Sequence, residues 1–280
     1  MQISAEIVKK LRDATGAGMM DCKKALVQAE GDYAKAEKIL KEMGLAAVAK
    51  RSGRATNNGR IFTLVDSDKA VILEMACETD FVARNADFIA LGKQLCHDII
   101  ENNYREINEA MQQKVLDLIT TIKENMSLKK FEVMDISANQ LVSQYVHGEG
   151  ELGVLVKLEA QKPEVLQLPE VLAFANDCAL HVAAFSPRYF SKENVDQAYI
   201  QEQTEIYKAQ TLALGKPEKV TEGIVKGKLA KHLGEICFLQ QGFVKEDSKS
   251  VEQVLAALAK GVGSDLSITG YTFYRVGVEE

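Results

Sequence analysis

The spacing of apolar positions changes along the chain, and each change marks a different kind of element. From residue 3 to about 50 they recur at helical intervals. Ile7, Val8, Leu11 and Ala14 form one stripe, Cys22, Ala25, Leu26 and Ala29 a second, and Ala36, Ile39, Leu40 and Met43 a third. Gly16 to Gly18 separates the first two, and Gly31-Asp32 supplies a stop followed by an N-cap. This predicts a three-helix unit over 1–52, too small to be very stable alone. Lys50 to Arg60 is polar, basic and glycine-bearing and reads as a linker.

Beyond the linker the pattern changes. Ile61 to Val65 and Ala70 to Ala76 predict a β-hairpin turned by Asp66-Ser67-Asp68-Lys69. Helical patterns follow near 86–101 and 106–124, then strand-like segments at 128–136 and 140–146. A hairpin turned by His147 to Gly153 runs into Val154 to Glu159, and a helical pattern follows from about 170 to 185. Hairpin then helix thus occurs twice, which suggests two similar α+β subdomains in one core. From Ser191 to Leu233 the chain reads as a helical hairpin, with Ser191 as cap, Gly215-Lys216-Pro217 as break and Gly234 as stop. Its seam is expected to be Val195, Tyr199, Ile206, Ala209 and Ala213 against Val220, Ile224 and Leu229. Ile236 to Val244 reads as strand, 250–260 as helix and Ile268 to Val278 as a closing strand. The expected fold class is α+β. A three-helix module at 1–52 precedes a core N-subdomain at 53–138 and a C-subdomain begun at 139–190. An antiparallel helical hairpin is inserted at 191–234, and 235–280 completes the C-subdomain.

Composition narrows the function. At 280 residues the chain can bury a sizeable core, and its formal charge of −6 argues against a general nucleic-acid binder. The basic stretch from Lys50 to Arg60 keeps a nucleic-acid reading in play as the rival, although no aromatic residue is interleaved with its cations. No window approaches the roughly 18 apolar residues that span a bilayer, and Ile3 to Leu11 is amphipathic rather than signal-like. The 5 cysteines are scattered and never form a Cys-x-x-Cys pair, which fits reduced thiols and a cytoplasmic location.

Catalytic machinery is scarce. There is no phosphate-binding loop of the Gly-x-x-x-x-Gly-Lys type and no Gly-x-Ser-x-Gly elbow. His97, His147, His181 and His232 show no metal-ligand spacing, so no metal or cofactor is expected. Cys77 is a poor nucleophile, because neighbouring Glu78 and Asp80 would raise its pKa.

One stretch stands out. Cys77-Glu78-Thr79-Asp80-Phe81-Val82 lies between a buried strand and the helix start Asn85-Ala86-Asp87-Phe88. Two placements compete for its ring and carboxylate. Composition alone favours Phe81 folding back onto the helix while Asp80 caps it. The alternative is an aromatic–acid anchor presented to a partner's pocket. Continued through Ala83-Arg84-Asn85, and taken with Thr15-Gly16-Ala17-Gly18-Met19-Met20-Asp21-Cys22-Lys23-Lys24-Ala25-Leu26, the stretch closely resembles the bacterial elongation factor Ts family. Similar motifs recur at Tyr145-Val146-His147-Gly148 and around Gly234-Glu235, so the resemblance covers almost the whole chain.

The resemblance implies a non-enzymatic guanine nucleotide exchange factor whose partner is elongation factor Tu, GDP-bound and nucleotide-free. It also implies that the N-terminal module has a ubiquitin-associated-like fold. Arg12, Met19, Met20 and Lys23 match the family's contact positions on that module. Thr79, Asp80, Phe81 and Val82 match the segment that dislocates the partner's magnesium, and His147 and Val244 match further contacts. The helical hairpin corresponds to the family's dimerisation arm, so a weak homodimer is allowed; neither membrane nor direct nucleic-acid binding is expected. The sequence departs from the family at Glu149 and Glu151, which make the His147 turn acidic. It also departs at Gly242 and Lys123, and it stops soon after Val278.

Overall fold

A computed structural model describes residues 3–214 and 218–278. Its N-terminal part is helical: α1 (Ala5–Thr15), α2 (Met19–Gln28) and α3 (Tyr33–Arg51). Ser4 caps α1, Gly16 ends it with φ +66°, and Asp32 accepts the Lys35 N–H at 3.0 Å to start α3. The stripes meet in a small core of Val8, Leu11, Cys22, Ala25, Leu26, Ala29, Ala36 and Leu40. Ala14 and Met43, assigned to the same stripes, are exposed, each at the end of its stripe. These helices are not isolated. Lys123 Nζ lies 3.0 Å from the Asp21 carboxylate, and Gly44 lies against Thr120.

The remainder alternates helices and antiparallel strands. It begins with β1 (Asn58–Val65), β2 (Lys69–Cys77), the one-turn α4 (Asp80–Ala83), α5 (Ala86–Glu101) and α6 (Glu109–Ile122). Next come β3 (Met126–Asp135), β4 (Gln140–His147), β5 (Leu152–Ala160) and α7 (Pro169–Phe185). Then follow α8 (Gln197–Ala213), α9 (Glu218–Ile236), β6 (Gly242–Phe243), β7 (Glu246–Ser250), α10 (Val251–Val262) and β8 (Leu266–Arg275). One sheet has the order β1-β2-β3 and another β4-β5-β8, while β6 and β7 form a ribbon.

The two larger sheets pack face to face. Ile61, Ala70 and Ile72 of the first meet Val142, Leu155 and Tyr274 of the second. On its outer face the first sheet carries α5 and α6, through Phe62, Val71, Leu73 and Met75 against Phe88, Leu95, Ile99 and Val115. The second carries α7 and α10 on its outer face, through Val154, Val156 and Leu158 against Val171, Ala175 and Cys178. The architecture is α+β, and both central strands are buried on two faces.

Several expected boundaries move. The linker shrinks to Ser52–Asn57, because α3 continues to Arg51 and β1 begins at Asn58. The hairpin helix α8 starts at Gln197, capped by Asp196, whose Oδ1 accepts the Ala198 N–H at 2.8 Å; the Ser191 hydroxyl instead donates to Asn194. Gly234 does not stop α9, which runs on to Ile236. The predicted break at Gly215-Lys216-Pro217 lies outside the described residues. The seam is also shifted. Ile206 and Val220 are exposed, while Thr211, Thr221 and Val225 are buried. Of the strand expected over Ile236 to Val244 only β6 (Gly242–Phe243) forms; Phe238 to Gln240 make a 3-10 turn, because Phe238 plugs the core beneath α7 instead of pairing in a ladder.

His181 on α7 is fully buried against the rings of Phe185, Phe238 and Phe243. Its Nδ1 accepts the Val244 N–H at 3.2 Å, and its Nε2 faces Gln241 Oε1 at 2.9 Å, so the ring is neutral with its proton on Nε2. Burial pushes its pKa below the ordinary value, partly offset by the Gln241 bond. The folded state therefore favours the neutral ring. Its stabilisation is complete above the unfolded pKa of about 6.5 and is lost as pH falls from there toward the lower folded value. The melting temperature should fall as pH drops from about 7 to 5.5, and His181→Gln should flatten that slope while lowering stability at neutral pH. An unchanged slope in the variant would show that His181 is not the group responsible.

Candidate functional site

Strand β2 delivers the chain into a tightly braced turn. Thr79 has extended backbone and caps α4, its Oγ1 accepting the Val82 N–H at 3.3 Å. The same hydroxyl donates to the Glu124 carboxylate at 3.0 Å. Glu78 just before it accepts the Asn125 N–H at 2.6 Å and meets Arg54 at 3.3 Å. The Asn125 N–H, helped by Arg54, holds the Glu78 carboxyl below the usual carboxylate range. From the neighbouring strand Asn58 Nδ2 donates to the Glu78 carbonyl at 2.8 Å, and the Cys77 thiol donates to the Thr79 carbonyl.

A one-turn helix points consecutive side chains about 100° apart, and this one uses that geometry fully. Val82 is buried at 5% exposure in the core beneath α5, whereas Phe81 is 79% exposed. The fold-back placement of Phe81 is therefore not what forms, and the cap is Thr79 rather than Asp80. Asp80 is exposed, with its carboxylate 3.6 Å from Arg84. Val82 offers nothing for another molecule to touch; it seats the turn.

The other expected contact residues occupy separate places. On α2, Met20 (64% exposed) and Lys23 line a shallow groove with Lys24, Val27 and Gln28, at helical spacing on one face. Met19 is exposed on the next face of the same helix, and Arg12 is exposed near the end of α1. Val27, 58% exposed, escapes the stripe argument; an apolar residue lying off the Cys22–Ala29 stripe was the available signal. His147 ends β4 in the open, with Nδ1 3.1 Å from the Tyr145 hydroxyl. Val244 is half-buried and packs against the core around α7.

Burial, reinforced by Glu124, pushes the Cys77 thiol up to about 12, so it carries no thiolate at neutral pH. All 5 cysteines are free and buried. Among the described residues no group of His, Cys, Asp and Glu could hold a metal, and no helix is long and apolar enough to cross a membrane. The turn thus sets an exposed ring beside an exposed carboxylate on a braced one-turn helix.

Comparison with known proteins gives that description a family. The model of the family described as "Elongation factor TS" matches residues 78–278. Elongation factor Ts of Treponema denticola is 49% identical over 278 residues, spanning 99% of both chains. That of Borrelia recurrentis is 45% identical over 278 residues, spanning 99% of this chain and all of the relative, and that of Treponema pallidum is 44% identical over 290 residues and the whole of both. The chain belongs to the elongation factor Ts family, the translation elongation factors.

The bracing of the turn can be measured. Thr79→Ala removes an N-cap and leaves the Glu124 carboxylate short of a donor. It should lower the unfolding free energy by about 1–2 kcal/mol in urea titration. A loss below about 0.3 kcal/mol would mean that the cap does not hold the turn.

Proposed function

We propose that this chain is the guanine nucleotide exchange factor of elongation factor Tu. It binds the GDP-bound GTPase, promotes GDP release and leaves a nucleotide-free complex that GTP can enter. The observation that carries the reading is Phe81, 79% exposed on a turn braced through Glu78, Thr79 and the buried Val82. Its ring and the Asp80 carboxylate enter beside the partner's magnesium and phosphate site, and Thr79 and Val82 keep the turn from yielding.

The physics needs no covalent step. A guanine nucleotide is held largely through its phosphates, a phosphate-binding loop and Mg²⁺. A wedge that displaces the elements supporting them loosens phosphate and metal without touching the base. Coupling is reciprocal, so nucleotide weakens the factor's grip by the same factor that the factor weakens the nucleotide's. GTP entry then releases the factor, which requires no cofactor of its own.

Residues 1–52 serve as the ubiquitin-associated-like docking module, through Arg12, Met19, Met20 and Lys23, to which we add Val27. His147 and Val244 supply contacts from the second sheet. The helical hairpin at 191–234 tunes the complex and supports at most a weak homodimer, with sedimentation as a monomer expected when dilute. A tight dimer in that experiment would overturn this part of the reading. The nucleic-acid rival loses support because two cations of the basic stretch are engaged within the chain, Arg54 of the linker with Glu78 and Arg60 of β1 with the Ala83 carbonyl.

Stimulated release of labelled GDP from elongation factor Tu tests the proposal. Phe81→Ala should slow it about thirtyfold, since anchor truncations commonly cost about 2 kcal/mol. Asp80→Ala should slow it less, and both should keep the wild-type circular dichroism. If both variants stimulate release at the wild-type rate, the wedge assignment is wrong.

A further inference from the structure

The Asp80–Phe81 turn and the turn after His147 belong to different sheets, yet two arginines join them. Arg60 on β1 is half-buried, and its Nη1 donates to the Ala83 carbonyl at 3.2 Å. That carbonyl closes a one-turn helix and has no partner further along it. The stem of Arg60 runs beneath Gly150, where a Cβ would lie 2.3 Å from Arg60 Cγ and where φ is +95°. Only glycine suits that place. The backbone closes on the same spot, with the Ile61 N–H donating to the Gly150 carbonyl at 2.8 Å. Arg84, just past α4, reaches both turns: one nitrogen lies 3.6 Å from the Asp80 carboxylate, and Nε pairs with the Glu149 carboxylate.

We propose that Arg60 and Arg84 are positioning residues that lock the Phe81 turn to the His147 turn, so that the two sheets present one rigid exchange surface. The inference rests on the exchange reading above. Arg60 is the strut, since its bond is sheltered and its stem is clamped by Gly150. Arg84 is the adjustable tie. In the free chain its guanidinium is shared between Asp80 and Glu149, all three side chains being more than half exposed. A partner that draws Asp80 away leaves Arg84 wholly to Glu149, which lowers the cost of freeing the Asp80 carboxylate. This gives the acidic turn at Glu149 a role in exchange.

The test is GDP release from elongation factor Tu as a function of full-chain concentration, which separates the maximal rate from the half-saturating concentration. Arg60→Met keeps the apolar stem and removes the fork. The maximal rate should fall about tenfold, the scale of a sheltered charged hydrogen bond, with less than about a twofold change in half-saturation. In the Phe81→Ala background the same substitution should cost less than about twofold, because the ring it positions is gone and only the smaller Asp80 contribution remains. Arg84→Gln and Glu149→Gln should each slow release about twofold at low salt and lose the effect at high salt.

A wild-type rate in Arg60→Met, or a loss that simply adds to that of Phe81→Ala, overturns the inference. If Arg60→Met fails to fold, the exposed Arg84→Gln decides in its place, and an unchanged rate overturns the inference. A wild-type rate in Phe81→Ala itself marks failure of the exchange reading instead.

Discussion

Strand β2 has no solvent face, and the rest of the molecule is arranged around that constraint. Every residue from Ala70 to Cys77 is buried. Val71, Leu73, Met75 and Cys77 enter the layer under α5 and α6, while Ala70 and Ile72 enter the junction between the sheets. Glu74, also buried at 3% exposure, accepts the Gly277 N–H at 3.1 Å. Burying each large aliphatic side chain is worth about 1.5–3 kcal/mol, and a one-residue slip would exchange the two faces. The register is therefore strongly determined, and so is the point where the chain leaves the sheet at Cys77.

That exit point is what the exchange reading uses. A wedge works only if it yields less than what it displaces. The Thr79–Ala83 turn gains its stiffness from the layers around it: Val82 below, Glu124 and Asn125 from the loop before β3, and Asn58 from β1. Stiffness of this kind lets binding energy go into the partner's rearrangement rather than into ordering the factor. The α2 surface bearing Met20, Lys23 and Val27 lies on another part of the chain, so the proposed docking and wedging use separate residues.

The sequence was most informative where burial and local capping agree. The apolar run of β2 and the Asn85 cap of α5 are both strong local signals, and α5 occupies 86–101 as expected. The position of Phe81 was not decidable from alternation, because a turn lets adjacent residues face opposite ways; only the family resemblance favoured exposure. The hairpin seam was misplaced because small polar residues, Thr211 and Thr221, take buried positions that an apolar stripe cannot reveal. Phe238 suggests a strand for a similar reason, since a short apolar run looks alike whether it pairs or plugs a core, and only Gly242–Phe243 of that run pairs. Arg60, Gly150 and the Arg84–Glu149 pair were beyond reach, because they depend on how the two sheets meet.

The central claim is that Phe81 leaves water for a pocket in elongation factor Tu when GDP leaves. The chain has 0 tryptophans, so fluorotryptophan placed by Phe81→Trp would be the only such label in it. Fluorine NMR of the labelled chain should show a solvent-exposed resonance when free, a shifted and broadened one in the nucleotide-free complex, and return to the free position on adding excess GDP. A resonance that stays solvent-exposed in a complex that has lost its nucleotide would contradict the account.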